Sequence, residues 1–195
     1  MTSAPDPSDA ALAGRAAKGD ERAFSVLVQR HQESLYRLLR RYTGDGDEAY
    51  EAAQEAFIAA WSALARYDPN RSFGAWLRTI AINKARDRTR RMAFRRLFFG
   101  SKALEDNEDA MRHHDAAPTP DEAVAERQEM ATLDRAVAQL PTKLKEALIL
   151  TAFDGLSQQE AALVLAVSVK TIETRVYRAR KILAETLDPA LRPSP

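Results

Sequence analysis

Apolar side chains recur every three to four residues through this chain, and few β-branched runs alternate with period two. That spacing restricts the fold to packed amphipathic helices. Ala, Leu, Glu and Arg dominate, and all four favour helix. The expected class is all-α. The chain's 195 residues leave room for two small helical domains, each with a modest core.

Helix punctuation divides the chain. Asp20 is a cap for a helix to about Tyr42, with Phe24, Leu27, Val28, Leu35, Leu38 and Leu39 at apolar spacing. The stretch Thr43-Gly44-Asp45-Gly46-Asp47 breaks it. A second helix is expected from about Asp47 to Tyr67, burying Ala53, Phe57, Ala60, Trp61 and Leu64, before Asp68-Pro69-Asn70 turns the chain. Ser72 caps a third, with Phe73, Trp76, Leu77, Ile80 and Ala81 inward. From about Leu97 to Pro118 the periodicity fails in an acidic, polar stretch that reads as a flexible linker. Thr119, Pro120 and Glu122 form a capping box for a helix to about Leu140. Pro141 opens another, ending at Asp154-Gly155, and Ser157 with Glu160 forms a second capping box. The expected layout is an extension over 1–19, a first domain over 20–96, a linker over 97–118, a second domain over 119–188 and a frayed tail over 189–195.

Net charge is +1, but the signs are segregated. Gly44 to Ser62 carries five acidic residues and no basic one. Arg71 to Arg96 carries nine basic residues and a single acid, Asp87. Ser101 to Glu129 has nine acids against three bases, and Ser168 to Leu183 five bases against Glu173 alone. The alternation points to two polyanion-binding surfaces and one surface for another kind of partner.

The C-terminal basic block has its own geometry. Ser157 to Leu165 is a short helix, Leu165 to Ser168 makes a break, and Ser168 caps an amphipathic second helix. On a wheel, Val169, Ile172, Val176, Ala179 and Leu183 share one side. Lys170, Thr171, Thr174, Tyr177, Arg178 and Lys181 share the other. A short helix, a turn of about three or four residues and a second helix with a cationic outer face is helix-turn-helix spacing. Lys, Arg and Thr on that face are groups that contact phosphates and base edges. In the third helix, Asn83, Arg86 and Arg90 share a face with Lys84, Asp87 and Arg91 beside it. Cations there suit a melted strand's backbone, and Asn83 and Asp87 suit exposed base edges. Phe94, Phe98 and Phe99 either pack on a partner or anchor the linker.

Other chemistry is missing from the sequence. There is no cysteine, which excludes disulfides, thiolate zinc sites and cysteine nucleophiles. His113-His114-Asp115 lacks the spacing of a metal site, and Asp45 to Ala49 lacks the third ligand and turn glycine of a calcium loop. No P-loop, GxSxG or GxGxxG occurs. Neither an enzyme nor a cofactor is expected. No signal peptide or membrane-spanning run is read from the sequence, so the expected location is the cytoplasm, without membrane insertion.

The stretch LPTKLKEALILTAFDGLSQQEAALVLAVSVKTIETRVYRARKIL resembles region 4 of extracytoplasmic-function sigma factors, small bacterial members of the sigma-70 family. DEAYEAAQEAFIAAW followed by SFGAWLRTIAINKARDRTRR resembles their region 2, and the two matches span about Asp20 to Leu187. The resemblance implies an alternative sigma factor that binds core RNA polymerase and promotes initiation at promoter DNA with −35 and −10 elements. It implies that region 4 docks on the polymerase β flap. It places −35 reading on Lys170, Thr171, Glu173, Thr174, Arg175, Tyr177 and Arg178, with Lys181 on the same face. It places −10 melting and reading on Asn83, Lys84, Arg86, Asp87, Arg90 and Arg91. Gln54, Glu55, Phe57 and Trp61 match the positions that bind the β′ clamp helices. An anti-sigma factor that clamps the two domains into an occluded arrangement is the further partner implied. Two departures stand out. Ala166 occupies a turn position where the family often has Gly, and a positive φ there would cost up to about 1 kcal/mol relative to Gly. Glu173 stands where a basic residue is common, and it either accepts from a cytosine amino group or repels a phosphate. The rival readings are a stand-alone helix-turn-helix regulator and a sigma-like decoy that binds only proteins.

Overall fold

A computed structural model of the protein describes residues 6–99, 130 and 132–187, with only the backbone at 95–99. The expected capping box at Thr119, Pro120 and Glu122, the His113-His114-Asp115 group, most of the 97–118 linker and the 189–195 tail lie outside the described residues.

All regular structure among the described residues is helical. The order is α1 (Asp9–Ala16), α2 (Glu21–Thr43), α3 (Gly46–Ala63) with a 3-10 turn at Leu64–Arg66, and α4 (Phe73–Phe99). After the undescribed stretch come α5 (132–139), α6 (Thr142–Leu148), α7 (Gln158–Leu165) and α8 (Val169–Leu187). Asp20 and Ser72 cap where expected, and Asp45, read in the sequence as part of a break, caps the second helix. Asp20 Oδ1 accepts from the Ala23 amide at 3.0 Å, Asp45 Oδ1 from Glu48 at 2.8 Å, and Ser72 Oγ from Ala75 at 3.3 Å. Gly44 closes α2 at φ 80°, the left-handed region. A side chain there would also meet the Ala138 Cβ at 3.1 Å, because α5 crosses the end of α2.

Helix α3 is buried through a face of alanines, Ala49, Ala52, Ala53, Ala56 and Ala60, against α2 and α4. Leu27, Leu35, Leu38 and Leu39 of α2 and Phe73, Leu77, Ala81 and Ile82 of α4 complete that core. Phe73, Trp76, Tyr67 and His31 form one aromatic group, with ring centroids 5.2–5.6 Å apart. In the C-terminal half, α6 and α7 pack on α8. Ile149, Leu150, Ala161, Leu165, Ile172, Val176, Ala179 and Leu183 fill the space between them.

Three features go beyond the sequence reading. The 1–19 extension contains a helix: Ser8 caps α1, and Leu12, Ala13 and Ala16 bury against α2. Asp9 holds it there, with Oδ1 2.7 Å from Arg30 and Oδ2 2.6 Å from His31. An eight-residue helix is marginal alone, so docking decides its existence. Second, α4 continues to Phe99, beyond the expected boundary at 96. Third, the helix after Pro141 ends in a wide π turn at Ile149–Phe153, with the Asp154 amide donating to the Ile149 carbonyl at 2.9 Å. That turn carries Phe153 under the Arg41 guanidinium, 4.6 Å from its ring centroid, and Asp154 into an ion pair with Arg78.

Candidate nucleic-acid interface

The helix-turn-helix forms as the spacing predicts. Ser157 Oγ accepts from the Glu160 amide at 3.2 Å, and the Glu160 carboxylate accepts from the Ser157 amide at 2.8 Å. The Ser157 hydroxyl and amide together hold the Glu160 carboxyl below the usual range. Ala166 ends α7 at φ 53°, ψ 48°, the left-handed conformation expected at that position. Ser168 Oγ then accepts from the Thr171 amide at 3.2 Å and starts α8.

Helix α8 buries Ile172, Val176, Ala179 and Leu183 and turns its opposite face outward. Lys170, Thr174, Tyr177, Arg178 and Lys181 are exposed, and Tyr177 keeps 71% of its surface. Thr171, Glu173 and Arg175 lie half-buried on the flanks. Lys170 Nζ pairs with Glu173 at 3.1 Å, so the acid neutralises one cation of the face. The Thr174 hydroxyl donates to the Lys170 carbonyl at 2.9 Å, and Lys181 approaches Glu185 at 3.9 Å.

The basic block of α4 is less open. Asn83, Asp87, Arg90 and Arg91 are exposed and Lys84 is half-buried. Arg90 donates to Asp87 at 2.6 Å. Arg88 turns back to Glu51 and Glu55 of α3, and Arg91 lies 3.8 Å from Glu55. Arg86 is half-buried and is held by a partner from the C-terminal half. Its Nε and Nη2 each donate to the Glu146 carboxylate of α6 at 2.6 Å, and its Nη1 donates to Asn83 at 3.2 Å. Glu146 is fully buried. The Tyr42 hydroxyl is 3.4 Å from the same carboxylate, and burial together with that charge pushes its pKa well up. Hydrogen bonding to Glu146 raises Arg86 further, while burial lowers Lys145 next door.

On α3, Gln54 and Trp61 are exposed, while Glu55 and Phe57 are half-buried. Trp61 was expected to be buried. It keeps 37% of its surface and touches Phe24 edge-on at 4.9 Å, because the alanine face has already taken the core side of α3. The sequence reading missed Tyr50 and Ile58, exposed by 60% and 68%. With Gln54 and Trp61 they form an i, i+4, i+8, i+11 stripe, a signal readable from spacing. It also missed Glu146. This carboxylate sits three and four residues before Ile149 and Leu150 on an apolar stripe, where a lone acid calls for a partner. Among the described residues no group of three or more metal-ligating side chains comes together, and no helix is long and apolar enough to cross a membrane.

Comparison with known proteins agrees with this arrangement. The Sigma-70 region 2 family matches residues 27–95 and the Sigma-70 region 4 family residues 130–183. The chain is 41% identical over 184 residues to the RNA polymerase sigma factor CnrH of Cupriavidus metallidurans, covering 94% of this chain and 96% of that one. It is 31% identical over 186 residues to the ECF RNA polymerase sigma-E factor of Escherichia coli K12, covering 95% and 97%. The solved structure of CnrH in complex with the cytosolic domain of CnrY superposes with a TM-score of 0.68 at 35% identity, over 93% of this chain and 97% of that one. Two sigma regions in one chain, matched over nearly its whole length, remove the stand-alone regulator reading. The protein belongs to the extracytoplasmic-function sigma factors of the sigma-70 family and serves promoter recognition and transcription initiation.

Proposed function

We propose that α8 reads the −35 element, α4 holds the −10 strand and the outer stripe of α3 docks on the β′ clamp helices of core polymerase. The observation that carries this reading is the two-sided division of α8. Its apolar side is consumed by the core, while Lys170, Thr174, Tyr177, Arg178 and Lys181 are exposed on the other. Lys170, Arg178 and Lys181 supply phosphate contacts, and Thr174 and Tyr177 add hydroxyls for base edges or backbone. Glu173, tied to Lys170, tempers that charge and so narrows the −35 sequences accepted. On α4, Asn83 and Asp87 face bases, while Lys84, Arg90 and Arg91 hold the strand's backbone. Gln54, Glu55, Phe57 and Trp61 form the polymerase contact. The protein works in the cytoplasm, makes and breaks no covalent bond, and is held inactive by an anti-sigma factor. Support for that last partner is the similar CnrH, whose structure is of a complex with the cytosolic domain of CnrY.

Run-off transcription with core polymerase and sheared genomic DNA tests the reading. The expected product is a set of discrete 5′ ends sharing two spaced motifs. Arg178→Ala should lower −35-dependent initiation about tenfold, the scale of one lost contact of 1–3 kcal/mol. Tight core binding without transcripts would instead make the protein a decoy.

A further inference from the structure

Three arginines of the N-terminal helices meet three acids of the C-terminal helices, one to one. Arg41 of α2 lies 3.2 Å from Asp134 of α5. Arg78 of α4 pairs with Asp154 after the π turn. Arg86 of α4 holds Glu146 of α6 through two bonds of 2.6 Å. Lys145 adds a fourth link, donating to the Tyr42 carbonyl at 3.0 Å.

Glu146 is the centre of this seam. It is fully buried, yet every hydrogen-bond partner of its carboxylate, Arg86 and Tyr42, comes from the other half of the chain. A buried carboxylate is tolerable only with its counter-charge in place. Any other docking of the two halves would strand that charge, so the pair selects this one arrangement.

We propose that the protein latches itself shut through Glu146, and that the closed chain withholds Arg86 and Arg78 from DNA. The second clause rests on the reading of α4 as the −10 strand-binding helix. A single strand's phosphates and the carboxylates of Glu146 and Asp154 compete for the same guanidiniums, because both are anions that an arginine binds bidentately. Closure therefore lowers the apparent DNA affinity by the fraction of chains that are open.

The absence of native cysteine makes a direct test simple. Exposed Gln29 and Gln159 are replaced by cysteine in the full chain and labelled, and the distance between labels is measured without any partner. Wild type should give one short-distance population that lengthens when a 15-nucleotide oligo-dT is added. Glu146→Gln, the isosteric neutral change, should be long before addition and bind the oligonucleotide about tenfold more tightly. Should Glu146→Gln lose helicity, Asp154→Asn at the edge of the seam is the second variant, with the same direction expected. A wild-type chain already open in the absence of partner overturns the latch. So do folded variants that keep the short distance. Opening without tighter oligonucleotide binding supports the latch and counts against the α4 assignment alone.

Discussion

At the scale of single residues, two positions show how local chemistry commits the backbone. Ala166 sits at φ 53°, where Gly would be unstrained. Ala166→Gly removes about 1 kcal/mol of strain but adds freedom to the unfolded chain, so the expected net gain is a rise in Tm of about 2 °C by calorimetry. Asp9 is the second case. Burial pushes its carboxyl up, but the hydrogen bonds and charges of Arg30 and His31 together outweigh burial and hold it below the ordinary value of 3.8. A folded-state value below the unfolded one means that the contact stabilises docked α1 at neutral pH. The stabilisation is lost as pH falls below about 3.8 through the folded value. In an acid titration followed by amide NMR, α1 should detach in that window, and Asp9→Asn should remove the pH dependence. Ala166 was marked by its place in the turn. The role of Asp9 was not, since its partners lie 21 and 22 residues away.

At the scale of elements, caps and stripes were legible and burial was not. Asp20, Ser72, Ser157 and Ser168 all cap where the sequence places them, because a cap satisfies amides two or three residues ahead and needs no distant partner. The inward sides of α4 and α8 follow from period 3.6. Helix α3 is different: its apolar residues surround it, and only the choice of the alanine side for the core leaves Tyr50, Ile58 and Trp61 outside. Ile58 tests the proposed polymerase contact cleanly. Ile58→Ala should leave thermal stability within about 0.5 kcal/mol, as for exposed positions generally. It should weaken core-polymerase binding by more than 1 kcal/mol, as a central contact does. Unchanged affinity in fluorescence titration with core polymerase would move the contact elsewhere on the chain.

At the scale of the whole molecule, the two sigma regions share one buried seam, and its charges are matched across it. Arg41 lies outside both proposed DNA surfaces, so it probes the seam by itself. Arg41→Ala removes the Asp134 pair and the contact over Phe153, worth about 1 kcal/mol, and should shift the closed-to-open ratio about fivefold. Single-round transcription at limiting protein should rise by up to that factor, with the promoter sequence unchanged. The sequence by itself determined an all-helical chain, its caps, its helix-turn-helix and the cationic faces of α4 and α8. Each of these depends on residues within about two turns of one another, and helical periodicity and capping act over that range. Only the tertiary structure decided that α1 docks, that Trp61 stays outside and that Arg86 is taken by Glu146. Those outcomes depend on partners from 21 to 60 residues away, and on which of several apolar faces wins the core. An arginine on an amphipathic helix reads as a free cation until packing brings a buried carboxylate to it.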